Sequence, residues 1–212
     1  MDIAIPLYDG FTALDAVGPY EVLSNLPGAT VRFVAAEPGP VAADTGMLSL
    51  VAEAALDEVP APEILCVPGG RETRAAIADG RVVEWVRRAH ETSEWTTSVC
   101  TGALVLGAAG VLEGLAATTY WLQLDSLREC GARPTEQRVV REGKVVTAAG
   151  VSSGIDMALT LAALIAGDDV AQAIQLGIEY DPQPPFDAGS EAKAPEHVVE
   201  LVRAVAAARS PA

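Results

Sequence analysis

Short apolar runs that alternate with stretches of helical spacing restrict this chain more than any other feature. "IAIPLY", "TVRFVAA", "EILCVPGG" and "WTTSVC" read as strands, the middle two nearly free of charge, as strands covered on both faces must be. Between them lie the helical "TALDAVGPYEVLSNL", despite Gly18 and Pro19, and the Trp85-centred "GRVVEWVRRAHETS". Beyond "WTTSVC" the pattern predicts a small-residue helix to about Ala109 and a second helix over "TTYWLQLDSLREC". A β-hairpin around Glu142-Gly143 follows, and then a buried helix over "VSSGIDMALTLAALIAG" that opens on capping serines. A helix around "DDVAQAIQLGIEY", the proline-bearing loop "DPQPPFDAGS" and an amphipathic helix over "APEHVVELVRAVAAAR" complete it. Strand–helix alternation implies a mostly parallel sheet between two helical layers. The sequence carries no internal repeat and no linker, so a single domain over residues 1–212 is expected.

Composition removes several functions. With 29 acidic against 14 basic residues, a net charge of −15, the chain has no basic face for phosphates, and no nucleic acid is expected as a partner. "MDIAIPLYDG" lacks the basic start of a signal peptide. "GIDMALTLAALIAG" is interrupted by Asp156 and too short to span a bilayer. Three cysteines, Cys66, Cys100 and Cys130, without CxxC spacing, argue against a disulfide framework or a structural zinc site and fit a reducing, cytoplasmic setting without membrane contact.

Cys100 falls where the strand "WTTSVC" meets a helical run, followed at once by Thr101 and Gly102. In open α/β sheets chemistry collects at the carboxyl ends of strands. A cysteine there is either inert filling or a nucleophile on a sharp elbow. The helix N-terminus is expected to favour its thiolate. "CVPGG" ends a neighbouring strand, and Gly69 and Gly70 are expected to turn backbone N–H groups toward the thiol and bind developing negative charge; an ordinary tight turn is the plainer reading.

"SVCTGALVLGAAGVLEGLAATTYW" after "CVPGG", with "LDAVGPYEVL" upstream, resembles the ThiJ/PfpI superfamily. The resemblance implies a flavodoxin-like three-layer sandwich related to class I glutamine amidotransferases, with a cysteine nucleophile elbow. "GVSSGIDMALTLAALIAG", "AQAIQLGIEYDPQPPFDAGS" and the Asp15 context are most similar to the isonitrile (isocyanide) hydratase branch, which implies a lyase working as a homodimer on a small isocyanide. Relatives that serve as transcriptional regulators carry a helix-turn-helix after this domain, whereas this chain stops at Ala212.

Cysteine enzymes usually pair the thiol with histidine, but the two histidines here, His90 and His197, read as solvated surface residues. Where the family often shows "ATTHW" this chain has "ATTYW", so Tyr120 occupies the position of the one histidine that would approach the thiol, and is expected to line the substrate site. That leaves Asp15. As a residue pattern it reads as a helix-capping or first-turn acid; the resemblance places it beside the cysteine, where the two share one proton. On this reading Cys100 attacks the isocyanide carbon, Asp15 moves the proton, Thr101 holds the pair, and an N-substituted formamide leaves through a covalent thioimidate. No metal or organic cofactor is expected. Cys66 and Cys130 read as structural, and "DPQPPFDAGS" as a pocket rim or a dimer contact. The rivals are a thiol sensor or ligand-binding module with the same elbow, and a cysteine enzyme acting on reactive carbonyls, which Tyr120 in place of histidine disfavours.

Overall fold

The structure is a computed structural model that describes residues 1–209; the last three residues of the expected 1–212 domain lie outside the described residues. It divides into two compact units, residues 1–178 and 179–212.

The first unit runs β1 (Asp2–Pro6), α1 (Ala13–Leu23), β2 (Thr30–Ala35), β3 (Gly39–Ala42), β4 (Ser49–Ala52), β5 (Ala54–Ala55), β6 (Ile64–Val67), α2 (Thr73–Asp79), α3 (Arg81–Thr92), β7 (Trp95–Val99) and α4 (Gly102–Ala108). It continues through β8 (Ala116–Ala117), α5 (Leu124–Glu129), β9 (Arg133–Pro134), β10 (Val139–Glu142), β11 (Val145–Ala148), α6 (Ser153–Ala166) and α7 (Asp168–Gly177). Seven strands form the main sheet in the order β10-β11-β7-β6-β1-β2-β5, parallel throughout except for the β10–β11 hairpin. This is the mostly parallel, helix-flanked α/β architecture that the alternation predicts.

Both faces of the central strands are apolar because both are covered. Ile3 and Ile64 pack with Val22 and Leu23 of α1, Leu161 of α6 and Ile174 of α7. Ala4 and Leu65, the next residue in each strand, join the cluster of Trp85 and Val86 on α3 and Leu106 on α4. Alternate strand residues point to opposite faces, so one short apolar run serves two cores. In α3 the buried set Val82, Val83, Trp85, Val86 and Ala89 makes one stripe, and Trp85 Nε1 donates to the Val59 carbonyl at 2.9 Å. Pro19 inside α1 lacks the N–H that would bond the Asp15 carbonyl one turn back.

Two local expectations are corrected. "TTYWLQLDSLREC" is not one helix: Thr118 to Tyr120 stay non-helical, Trp121–Gln123 form a 3-10 turn, and α5 begins at Leu124. The β3–β4 hairpin, read as no element from sequence, leaves Met47, Leu48 and Val51 exposed. In the second unit residues 181–190 form no helix or strand and are exposed, and α8 (Glu196–Arg209) follows, with ion pairs Lys193–Asp187 and Arg203–Glu191. No helix among the described residues is long and apolar enough to cross a membrane.

Candidate active site

Cys100 sits one residue past β7, between the carboxyl ends of β6 and β11. Its φ is +56°, the left-handed region in which a side chain costs roughly 1–2 kcal/mol. The surroundings hold it there: its N–H reaches the Ala149 and Ala148 carbonyls at 2.8 and 3.2 Å, and its own carbonyl accepts from the Thr119 hydroxyl at 2.8 Å. The elbow also needs bare backbone. A Cβ at position 102 would lie 2.1 Å from the Val67 carbonyl oxygen, and one at position 69 would lie 2.5 Å from Thr101 N. Gly69 and Gly102 therefore let the β6 and β7 loops close on each other.

Asp15 comes from α1 and is fully buried. It is no helix cap, because its carboxyl bonds outside its own helix: Oδ2 accepts the Gly69 N–H at 3.0 Å. Oδ1 is buried, and no N–H or hydroxyl among the described residues reaches it. Burial pushes the carboxyl up to about 7, opposed first by the Gly69 N–H and then by hydrogen bonding with the Cys100 thiol, while Asp44 nearby adds to the rise. The Cys100 thiol is also pushed well up, first by burial and then by Asp15, against the N–H groups of Thr101 and Val151 and the Thr101 hydroxyl. Burial is the largest cause of both shifts, and for the thiol the Asp15 charge adds to it, because a second lost proton would leave two anions close together where water does not reach. The pair holds a single proton above about pH 7.

This corrects the expected low thiol value. The helix after Cys100 has only seven residues, and burial outweighs its terminal charge. The glycines also spend their N–H groups differently than expected. Gly69 donates to Asp15 and Gly70 to Thr101 Oγ1 at 2.9 Å, so the N–H groups facing the sulfur are those of Thr101 and Val151. Gly69 and Gly70 thus border the site by holding its acid and its threonine.

Tyr120 reaches the same place. A Cβ on Gly150 would stand 3.2 Å from its ring, it packs edge-on to Trp121 at 6.0 Å, and burial and the charge of Cys100 raise its phenol. The structure therefore brings together Cys100, Asp15, Thr101, Gly69, Gly70 and Tyr120. It adds four that sequence reasoning missed: Val151 and Thr119 on the elbow, and Thr73 and Tyr8 behind Thr101. None carries a local signature; each acts through one N–H or hydroxyl placed by the topology.

The remaining candidates lie apart. Cys66 is buried within β6 and pushed up to about 12, chiefly by burial. Cys130 packs against Gly107 of α4, and all three cysteines are free thiols. His90 is half-buried rather than solvated: Nδ1 lies 2.8 Å from Thr96 Oγ1, at the far end of β7 from Cys100. His197 is exposed in the second unit. Among the described residues no group of three or more His, Cys, Asp or Glu is placed to hold a metal ion. A cavity of about 610 Å³ bordered by Tyr8, Asp9, Glu72 and Arg81 does not include Cys100 or Asp15 in its wall.

Residues 1–164 match the DJ-1/PfpI family. An isonitrile hydratase from Pseudomonas putida is 42% identical over 207 residues, 98% of this chain and 90% of that protein. The HTH-type transcriptional regulator CdhR of Pseudomonas aeruginosa is 30% identical over 172 residues, 78% of this chain but 51% of the regulator's length. A solved ThiJ/PfpI family protein from Pseudomonas syringae superposes with a TM-score of 0.92 at 39% identity, covering 98% of this chain and 88% of that one.

Proposed function

This chain belongs to the DJ-1/PfpI family, and from that premise we propose that it hydrates isonitriles to N-substituted formamides through a covalent bond to Cys100. The similarity to the Pseudomonas putida isonitrile hydratase supports the activity. The observation that carries the mechanism is the fully buried Asp15 carboxyl, held through Oδ2 by the Gly69 N–H and hydrogen-bonded with the elbow thiol.

An isonitrile carbon is both electrophile and proton acceptor, and the singly protonated pair matches both needs. Asp15 takes the thiol proton as the sulfur attacks, then delivers it to the same carbon, giving the thioimidate. It next removes a proton from water as the oxygen adds to that carbon, and passes that proton to the nitrogen. As the adduct collapses to the formamide carbonyl and expels the sulfur, Asp15 takes the hydroxyl proton and returns it to the sulfur; one water is consumed and the pair regains its starting state. General acid–base help of this kind contributes about 10²–10⁴-fold. The N–H groups of Thr101 and Val151 steady the sulfur while it is an anion, Gly69 holds the acid, Gly70 holds Thr101, and Tyr120 borders the substituent. The same proposal takes the enzyme to be cytoplasmic and a homodimer, the latter carried by the resemblance and measured by sedimentation.

The test is incubation with simple alkyl and aryl isocyanides, with formamide followed by chromatography. Catalytic formamide production supports the reading, and its absence across a panel of isocyanides sinks it.

A further inference from the structure

Three hydroxyls stand in line behind the elbow, on three different segments. Tyr8 Oη, just past β1, lies 3.0 Å from Thr73 Oγ1 at the start of α2, and Thr73 Oγ1 lies 2.7 Å from Thr101 Oγ1. Tyr8 and Thr73 are buried. Each oxygen also has a carbonyl within reach: Pro68 at 2.9 Å for Tyr8, and Gly70 at 2.7 Å for Thr73 and 3.2 Å for Thr101. A hydroxyl carries one proton that rotates to suit its neighbours. Three protons therefore serve five contacts, and two of the possible orders differ in where the Thr101 proton is released.

In the first order Tyr8 donates to Pro68, Thr73 to Gly70, and Thr101 back to Thr73. In the second Tyr8 donates to Thr73 and Thr73 to Thr101, which frees the Thr101 proton for either the Gly70 carbonyl or the adjacent Cys100 sulfur, with which its hydroxyl hydrogen-bonds. The Gly70 N–H fills one lone pair of Thr101 Oγ1 in both. A neutral thiol leaves the first order in place. A sulfur anion favours the second, since each bond in a chain polarises the next and a donor to a charged acceptor is worth more than one to a carbonyl.

We propose that Tyr8 and Thr73 are positioning residues that turn the Thr101 hydroxyl proton onto the Cys100 sulfur whenever it carries negative charge. No proton changes owner and no bond breaks; only hydroxyls rotate, far faster than any chemical step. This is how a buried site raises its thiol at rest and still supports the anion as it forms and leaves. The proposal rests on the hydration reading for the moments at which that anion arises, but not for its test.

The experiment is alkylation of Cys100 by iodoacetamide from about pH 6 to about pH 10, followed by mass mapping of the Cys100 peptide, in wild type, Thr73→Val, Thr73→Ser and Tyr8→Phe proteins. Thr73→Val removes the middle hydroxyl and should slow alkylation about tenfold, with the thiol titration displaced upward. Thr73→Ser restores the hydroxyl and should return the rate to within about twofold, which a purely packing role for the threonine methyl would not do. Tyr8→Phe, one bond further away, should slow alkylation about threefold. Alkylation of Thr73→Val and Tyr8→Phe at the wild-type rate with an unchanged pH profile overturns the proposal, as does a Thr73→Ser protein as slow as Thr73→Val. If Thr73→Val fails to fold, Tyr8→Phe decides alone. A wild type that alkylates normally yet makes no formamide removes the hydration reading and leaves this comparison standing.

Discussion

The two ends of β7 both carry buried titratable chemistry, and they treat it in opposite ways. At the amino end Thr96 Oγ1 meets His90 Nδ1 at 2.8 Å and Ser93 Oγ at 2.9 Å, while the Lys144 ammonium donates to the His90 and Ser93 carbonyls. Burial and the Lys144 charge hold the His90 imidazole below its ordinary value, so it stays neutral in a satisfied cluster. At the carboxyl end Cys100 has a strained backbone, Asp15 Oδ1 is reached by no N–H or hydroxyl among the described residues, and both groups are raised. A fold gains by satisfying buried polar groups. The two ends of one strand thus differ in kind: one is a satisfied polar cluster, and the other holds a raised carboxyl and a raised thiol together.

The largest effect expected from this contrast is loss of the thiol. Cys100→Ala should reduce formamide production to the uncatalysed background while circular dichroism stays native, and Cys66→Ala and Cys130→Ala should turn over near wild type once corrected for folded fraction. Full activity in Cys100→Ala would remove the carboxyl end from the chemistry altogether.

Asp15→Asn should lower turnover by about 10²–10⁴-fold and, unlike most buried substitutions, raise thermal stability at pH 8. The sign follows from the raised carboxyl. A group at about 7 in the fold against an ordinary 3.8 contributes stability that is full below the unfolded value and lost as pH rises through about 7. Three units are worth on the order of 4 kcal/mol at most, and the neutral amide escapes that loss. Melting curves at about pH 5 and about pH 8 test it: a gain that is larger at the higher pH sharpens the contrast, and a loss at both breaks it.

Substitution at the amino end should do the reverse. Thr96→Val leaves His90 and Ser93 each short of a partner and should cost about 1–3 kcal/mol in denaturant unfolding, with turnover per folded molecule within about twofold of wild type. A well-folded Thr96→Val or His90→Ala protein without activity would contradict the assignment of the chemistry to one end only. The smallest effect is on pH: kcat/KM should fall one proton at a time as pH drops through about 7, where the Cys100–Asp15 pair becomes doubly protonated, and stay level above. A flat profile down to about pH 5 would separate Asp15 from the rate.

The sheet and the elbow were legible because their signals are local. β-branched runs meet small-residue runs within a few positions, and "VCTG" carries the turn inside itself. Asp15 was legible through the family resemblance; its pattern alone suggested a cap, and only the approach of α1 to the β6 loop brings it to Gly69. Val151 was not legible, since its contribution is a main-chain N–H delivered by the β11–α6 loop. Thr73, Tyr8 and Thr119 were hidden for the same reason. His90 misled because the charged "RRAHETS" suggests solvent on every side, whereas the last turn of α3 tips its ring onto Thr96. The thiol misled because sequence displays a helix start and not the depth of burial.

The central claim is that Cys100 becomes covalently bonded to the isonitrile carbon with Asp15 moving the proton. It is tested most directly by rapid-quench mass spectrometry of the enzyme during turnover of excess aryl isocyanide. The account predicts a mass gain equal to one intact isocyanide, mapped to the Cys100 peptide, which appears before formamide and disappears as substrate is exhausted. Formamide released at the same rate with Cys100 unmodified throughout would contradict it.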